Sequence, residues 1–138
     1  MGLPDIVVLD RVGSTMDAAH GLAADGAPHG AAVRATTQMG GRGQHGRVWK
    51  AEAGGLWMSV VGRPEHIDAF PTMALRVGMA VAAVIESRLP SGYEVGTKWP
   101  NDLLVGVRKV AGILVEARWS GSRCIWVIAG IGINIRNR

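Results

Sequence analysis

Residues 39–49, MGGRGQHGRVW, form a glycine-rich basic segment that interrupts the regular secondary-structure pattern of the chain. Four of these eleven residues are glycine, which excludes a continuous helix or strand across the segment. The flanking patterns, Ala31–Gln38 and Leu56–Gly62, predict two strands, so the segment is expected to be a long loop. Its glycines can turn backbone N–H groups toward an anion, and Arg42 and Arg47 can bind phosphate oxygens. A flexible basic hairpin without a ligand is the alternative.

The rest of the chain predicts a mixture of helices and strands. A strand over Ile6–Val12 precedes a helix over about residues 15–24, which Ser14 or Thr15 caps. A second helix, over about residues 71–89, carries enough apolar residues to predict a largely buried element. Four further strands are predicted at Glu94–Lys98, Leu103–Val107, Lys109–Trp119 and Cys124–Ile135. This order predicts an α+β fold, with a mixed, largely antiparallel sheet and helices on one face.

Composition limits the class of protein. The 138 residues, 48% apolar and 19% charged, suit one folded domain rather than a disordered chain. The single cysteine excludes a disulfide scaffold and a cysteine-based zinc site. The N-terminus has no secretion signal, and the apolar run over residues 77–85 is too short to cross a bilayer, so we expect a cytoplasmic protein without a membrane partner.

Positive charge is unevenly distributed. The net charge is +4, and residues 34–50 contain four basic residues and no acidic one. Basic patches attract phosphate, either of a nucleic acid or of a nucleotide. An ordinary solvated basic face is the alternative.

Two shorter motifs follow the loop. The KWPND motif, residues 98–102, places an ammonium, an amide and a carboxylate on a rigid turn. Lys98 could offset charge on a phosphate or carboxylate, and Asp102 could bind Mg²⁺. The RKVAGILVE motif, residues 108–116, begins with two cations, and Gly112 inside its strand indicates close approach of the backbone to another group. An ordinary Asn-Asp turn and a packing glycine are the alternatives.

Taken together, the motifs resemble the catalytic domain of biotin protein ligases. The pieces occur in the order of that family: the Ser-Thr pair before a helix, Gln38, the basic loop, KWPND, RKVAGILVE, and GIGIN at residues 130–134. The resemblance extends from Val8 to Ile135. It implies a catalytic domain over residues 1–138, without the C-terminal helices and β-barrel or the N-terminal DNA-binding domain of some members. It also implies a fold like that of class II aminoacyl-tRNA synthetase and lipoate ligase catalytic domains.

The resemblance implies a biotin–[biotin carboxyl-carrier protein] ligase. Such enzymes use ATP and Mg²⁺ to convert biotin to biotinyl-5′-AMP, and then transfer biotin to a lysine of a carrier protein domain. Biotin and ATP are the implied small-molecule partners, no nucleic acid is expected, and a homodimer is left open.

The resemblance also implies roles for individual residues. The implied catalytic residues are Lys109, Arg42 and Lys98, whose charges offset the repulsion between the biotin carboxylate and the ATP α-phosphate. Asp102 is the implied Mg²⁺ ligand. The implied biotin-binding residues are Ser14, Thr15, Met16, Gln38, Gly41, Arg42, Gly43, Gln44, Lys109 and Gly112. The implied ATP-binding residues are Arg42, Arg47, Trp49, Asn101 and Asn134.

Two residues depart from the pattern of the family. Met16 stands where an asparagine is usual, which removes a hydrogen-bonding amide, and Gln44 replaces the second arginine of a Gly-Arg-Gly-Arg loop. Three alternatives stay open. These are a lipoate or octanoate ligase on the same fold, a biotin-binding module inactive through loss of its C-terminal part, and a nucleic-acid binder suggested only by the high pI.

Overall fold

A computed structural model describes residue 2 and residues 4–137, without the side chains of residues 67–69. The described part of the chain contains seven strands, two α-helices and two short 3-10 turns, Gln44–Gly46 and Ile67–Thr72. In chain order the strands and α-helices are β1 (Ile6–Val12), α1 (Thr15–Ala24), β2 (Ala32–Gln38), β3 (Leu56–Gly62), α2 (Met73–Glu86), β4 (Val95–Lys98), β5 (Asp102–Val105), β6 (Arg108–Ser120) and β7 (Arg123–Ile133).

The strands form one sheet in the order β1-β2-β3-β7-β6-β5-β4. Strands β1 and β2 pair in parallel. The other five neighbouring pairs of this sheet are antiparallel. The α+β class and the largely antiparallel sheet are therefore confirmed. The predicted strands differ from the observed ones by one or two residues at their ends, where hydrogen bonding of the terminal residues is weakest.

The two helices pack on opposite faces of the sheet, which differs from the expected single face. Met16 of α1 fills the space beside Gly130 of β7, whereas Gly78 of α2 lies against Ile113 of β6. Ile113 pairs with Ile131, the residue after Gly130, and successive strand residues point to opposite faces. The order of elements along the chain does not determine on which face a connection crosses the sheet.

Helix α2 is largely exposed, so the expectation of a buried helix is wrong. Only Gly78 and Ala82 of α2 are buried, and Met79 and Val84 are 60% and 61% exposed. The helix packs on one end of the sheet, over β4 to β6, and only one narrow face of the helix contacts these strands. When a helix is apolar on all sides, its sequence does not predict which face will be buried.

The main core lies between α1 and the sheet. Its small residues on the helix, Ala19 and Ala23, let α1 approach Val61 and Ile128 of β3 and β7 closely. Ser14 caps this helix, and its side chain accepts a hydrogen bond from the backbone N–H of Met16. Because α1 begins directly after β1, this packing fixes the first turn of α1 over the middle of the sheet.

Candidate functional site

A cavity of about 360 Å³ lies on the face of the sheet that carries α1. The first turn of α1, the glycine-rich loop, the KWPND turn and strands β6 and β7 meet there. Three motifs far apart in the sequence therefore share one cavity. The predicted site residues that line it are Ser14, Thr15, Met16, Gln38, Arg42, Gly43, Gln44, Arg47, Trp49, Lys98, Asn101, Asp102, Lys109 and Gly112.

Two predicted site residues, Gly41 and Asn134, do not line this cavity. Gly41 is buried in the loop, where its carbonyl accepts a hydrogen bond from the N–H of Trp49 at 2.8 Å. A Cβ at Gly41 would lie 2.6 Å from the carbonyl oxygen of Trp49, so only glycine fits. The backbone N–H of Asn134 donates to the carbonyl of Val110, which joins the end of β7 to β6. Both residues hold neighbouring backbone in place through these hydrogen bonds.

The glycine-rich segment forms a narrow loop between β2 and β3, as the sequence predicts. Isolated bridges pair Gln38 with Ala51 and Arg42 with Val48. At its tip, His45 and Gly46 adopt positive φ angles of 57° and 71°. The tip is exposed, and few contacts hold it against the rest of the protein.

One end of the cavity is polar and closed. Thr15 donates its backbone N–H to Oε1 of Gln38 at 2.7 Å, and its hydroxyl lies 2.8 Å from the hydroxyl of Ser59. Ser14, Thr15 and Ser59 are all buried. Such a set of buried polar groups can hold a flat polar ring through hydrogen bonds. Ser59 is not among the predicted site residues, because a lone serine in the strand LWMSVVG gives no functional signal.

Glycines form the floor of the cavity. Gly112 of β6 pairs directly with Gly132 of β7, and the indole of Trp49 lies over both. A Cβ would come within 3.0 Å of the indole at Gly112 and within 2.9 Å at Gly132. Nε1 of Trp49 is buried and has no hydrogen-bond partner among the described residues. The two glycines thus make room for the flat indole of Trp49, which itself lines the cavity.

Four cations line the cavity, and they differ in how their charges are compensated. Nζ of Lys109 lies 2.8 Å from Oδ1 of Asp102 and 4.9 Å from the ring centre of Trp49. Arg42 pairs with both Glu116 and Asp17. Among the side chains that the structure describes, none forms an ion pair with the other two lining cations, which are Arg47 and Lys98. Those two supply the uncompensated positive charge of the site.

Glu116 lies outside the cavity lining but binds Arg42, and sequence reasoning missed this contact. The hydrogen bond from Arg42 lowers the pKa of Glu116 below its usual value, burial opposes this shift, and a hydrogen bond with His20 adds to it. The same pairing with Glu116 raises the pKa of the Arg42 guanidinium. Glu116 ends the RKVAGILVE motif, where an isolated glutamate in a long strand is most simply read as solvent-exposed.

The donor set around Asp102 does not fit a resident Mg²⁺ ion. The carboxylate of Asp102 is already neutralised by Lys109, and the described residues contain no group of three His, Cys, Asp or Glu side chains placed to hold a metal. Mg²⁺ that serves a nucleotide is usually held by one or two carboxylates together with the substrate phosphates, rather than by protein groups alone. Asp102 acts here on Lys109, which it orients.

The sequence profile of the Biotin/lipoate A/B protein ligase family matches residues 8–134 of the chain. The chain belongs to this family. Bifunctional ligase/repressor BirA of Bacillus spizizenii is 38% identical over 135 residues, which cover 96% of the chain and 41% of that protein. Biotin--[acetyl-CoA-carboxylase] ligase of Mycobacterium tuberculosis is 33% identical over 141 residues, which cover 97% of the chain and 50% of that protein. The chain thus spans half or less of the length of these two relatives.

Solved structures of family members share the fold. Biotin protein ligase of Leishmania major in complex with biotinyl-5-AMP matches with a TM-score of 0.81 and 33% identity, over 97% of this chain and 58% of that chain. Biotin protein ligase of Aquifex aeolicus in complex with biotin and ATP matches with a TM-score of 0.81 and 30% identity, over 97% and 54%. No helix among the described residues of the present chain is long and apolar enough to span a membrane.

Proposed function

We propose that this chain carries the biotin-activating site of a biotin–[biotin carboxyl-carrier protein] ligase. The observation that carries the proposal is a cavity lined by buried hydroxyl groups and the half-buried amide of Gln38, together with four cations. Biotin has matching ends, a flat polar ureido ring and a carboxylate. The relatives named as biotin ligases, and the solved relatives bound to biotin, ATP or biotinyl-5-AMP, favour biotin over lipoate or octanoate.

The proposed binding mode places the ureido ring at the polar end. Ser14, Thr15 and Gln38 would hydrogen-bond it, with Ser59 fixing the hydroxyl of Thr15 from behind. The backbone of Gly112 would approach the ring beside the indole of Trp49, which lies over this glycine. Met16 fills the space beside Gly130 with an apolar group, so it would border the ring without a hydrogen bond.

The proposed reaction joins two anions. A carboxylate oxygen of biotin attacks the α-phosphorus of ATP, pyrophosphate leaves, and a mixed anhydride, biotinyl-5′-AMP, remains. Lys109 and Lys98 would offset the mutual repulsion and the charge that develops at phosphorus, and Arg42 would donate hydrogen bonds to the same anions. A carrier lysine then attacks the acyl carbon, AMP leaves, and biotin is held in an amide bond. ATP would enter as its Mg²⁺ complex.

The nucleotide would occupy the loop side of the cavity. Arg47 and Asn101 both line the cavity, and Arg47 carries an uncompensated charge suited to the phosphates. Trp49 lines the cavity over Gly112 and Gly132, and its indole would pack near the adenine. Asn134 would act through the end of β7 and the carbonyl of Lys109, toward which its amide points.

Pyrophosphate release tests the proposal. The chain is incubated with ATP-Mg²⁺ with and without biotin, and a carrier domain is then weighed by mass spectrometry. We expect biotin-dependent pyrophosphate release and a carrier heavier by one biotinyl group. Lys109→Ala should lower the rate roughly 10²–10³-fold, the range for loss of a group that stabilises developing charge. Lys50→Ala is the matched control, because Lys50 is exposed and outside the cavity lining. Release independent of biotin, or a wild-type rate in Lys109→Ala, would contradict the proposal.

A further inference from the structure

A continuous chain of hydrogen bonds runs from the core to Arg42. Nε1 of Trp126 lies 3.0 Å from Nδ1 of His20, and Nε2 of His20 lies 2.8 Å from Oε2 of Glu116. Glu116 then accepts from Nε and Nη2 of Arg42 at 2.9 and 3.1 Å. The members come from β7, α1, β6 and the glycine-rich loop. The side chain of Arg42 therefore ties the glycine-rich loop to β7, α1 and β6.

The series of hydrogen bonds from Trp126 to Arg42 has a defined donor-to-acceptor direction. An indole N–H can only donate, so Nδ1 of His20 is the acceptor of Trp126, and neutral His20 carries its proton on Nε2. That proton is donated to Oε2 of Glu116. The second oxygen of Glu116 accepts from Nε of Arg42. Both oxygens of the carboxylate are thus used, and its orientation is fixed.

Glu116 and Asp17 occupy one edge of the Arg42 guanidinium. They take the hydrogens on Nε and Nη2, whereas Nη1 has no hydrogen-bond partner in the described part of the chain. Arg42 lines the cavity. Because two carboxylates compensate its charge, Arg42 adds little net positive potential. Its contribution is a directed pair of N–H donors.

We infer that Glu116, held by His20, is a positioning residue that orients Arg42 so that its Nη1 edge faces an anion in the cavity. The glycines around Arg42 cannot hold its side chain in one direction, so a contact from the sheet supplies the orientation. The inference rests on the proposed function, in which that anion is the biotin carboxylate or the adenylate phosphate.

A double-mutant cycle on ligand affinity tests the inference. Dissociation constants for biotin and for a sulfamoyl analogue of biotinyl adenylate are measured by calorimetry for wild type, Glu116→Gln, Arg42→Ala and the double variant. We expect Glu116→Gln to weaken binding of the analogue roughly tenfold, equivalent to about 1.4 kcal/mol. In the Arg42→Ala background the same change should have no further effect. Equal losses in both backgrounds would mean that Glu116 acts independently of Arg42 and would overturn the inference.

Matched variants separate positioning from loss of charge. Asp17→Asn removes a carboxylate from the same guanidinium at a side chain that is 70% exposed, and should change affinity less than twofold. His20→Gln keeps a donor toward Glu116 and should retain more affinity than His20→Ala. Equal losses of affinity in the two His20 variants would mean that the hydrogen bond from His20 does not help Glu116 to orient Arg42. If the wild type binds neither probe, the proposed function fails; if it binds both and the cycle is additive, only the positioning role fails.

Discussion

Replacing Gly132 by alanine tests how freely Trp49 moves over the glycine floor. The new Cβ would lie 2.9 Å from three atoms of the indole, and ordinary contacts begin near 3.4 Å, so the ring must shift by about half an ångström. The ring can do so. It borders an open cavity, its Nε1 has no partner among the described residues, and it meets Trp57 only edge to face.

Gly55→Ala is the matched comparison, because its Cβ would also meet an indole. That ring belongs to Trp57, which is 1% exposed and donates its Nε1–H to the carbonyl of Glu52 at 2.9 Å. The same Cβ would lie 2.9 Å from the backbone oxygen of Ile133. Neither neighbour can retreat without disturbing the sheet.

The expected free energies of unfolding follow from this difference. Overpacking costs about 1–3 kcal/mol, and removing a glycine from the unfolded chain offsets about 0.4–1 kcal/mol of it. Gly132→Ala should therefore lose less than ~1 kcal/mol, whereas Gly55→Ala should lose ~2 kcal/mol or more. Urea unfolding followed by circular dichroism measures both, provided that the slope with denaturant stays constant.

Acrylamide quenching of tryptophan fluorescence reports the shift of the ring. Gly132→Ala should raise the quenchable fraction, and the rise should vanish in a Trp49→Phe background. A loss of stability in Gly132→Ala equal to that in Gly55→Ala would refute the reasoning, because it would mean that Trp49 is as tightly held as Trp57. Unchanged quenching would refute it as well, since the ring would then not have moved.

Three further predictions concern the glycine-rich loop and Glu116, which binds Arg42 of that loop. Amide exchange at residues 40–48 should slow when biotin binds, because the exposed loop tip has little packing to hold it without a ligand. Gln44→Arg should slow release of biotinyl-5′-AMP by about tenfold or more, since Gln44 lines the cavity and a hydrogen bond to a charged group contributes roughly 1.5–3 kcal/mol. The free energy of unfolding of the wild type should fall more steeply with acid than that of Glu116→Gln. The pKa of Glu116 is lowered in the folded state, so its contribution is full above the ordinary glutamate value of about 4.3 and is lost as the pH falls through the folded value.

One experimental outcome would contradict each of these three predictions. Equal exchange with and without biotin would make residues 40–48 a rigid turn. An unchanged release rate in Gln44→Arg, measured by stopped-flow fluorescence, would place that side chain away from the phosphate. Parallel acid profiles for the wild type and Glu116→Gln in urea titrations would mean that the ion pair with Arg42 does not persist in solution.

Much of this protein follows from local sequence pattern. Alternation and turn residues predict each strand to within one or two residues, and four glycines predict the loop after β2. The motifs also predict most of the cavity lining, because residues 98–102 and 108–116 carry chemistry in short continuous stretches. Local pattern is informative here since periodicity and turn chemistry act over a few neighbouring residues.

The tertiary structure alone decided which residues meet. Glu116 and Arg42 pair across 74 positions, and Thr15 and Ser59 across 44. Gly112 and Gly132 become a floor only because the register of β6 and β7 sets them side by side. The faces taken by α1 and α2 were decided in the same way. Contacts of this kind depend on strand register and on the side from which a helix packs, and a shift of one residue would turn every side chain of a strand to the other face.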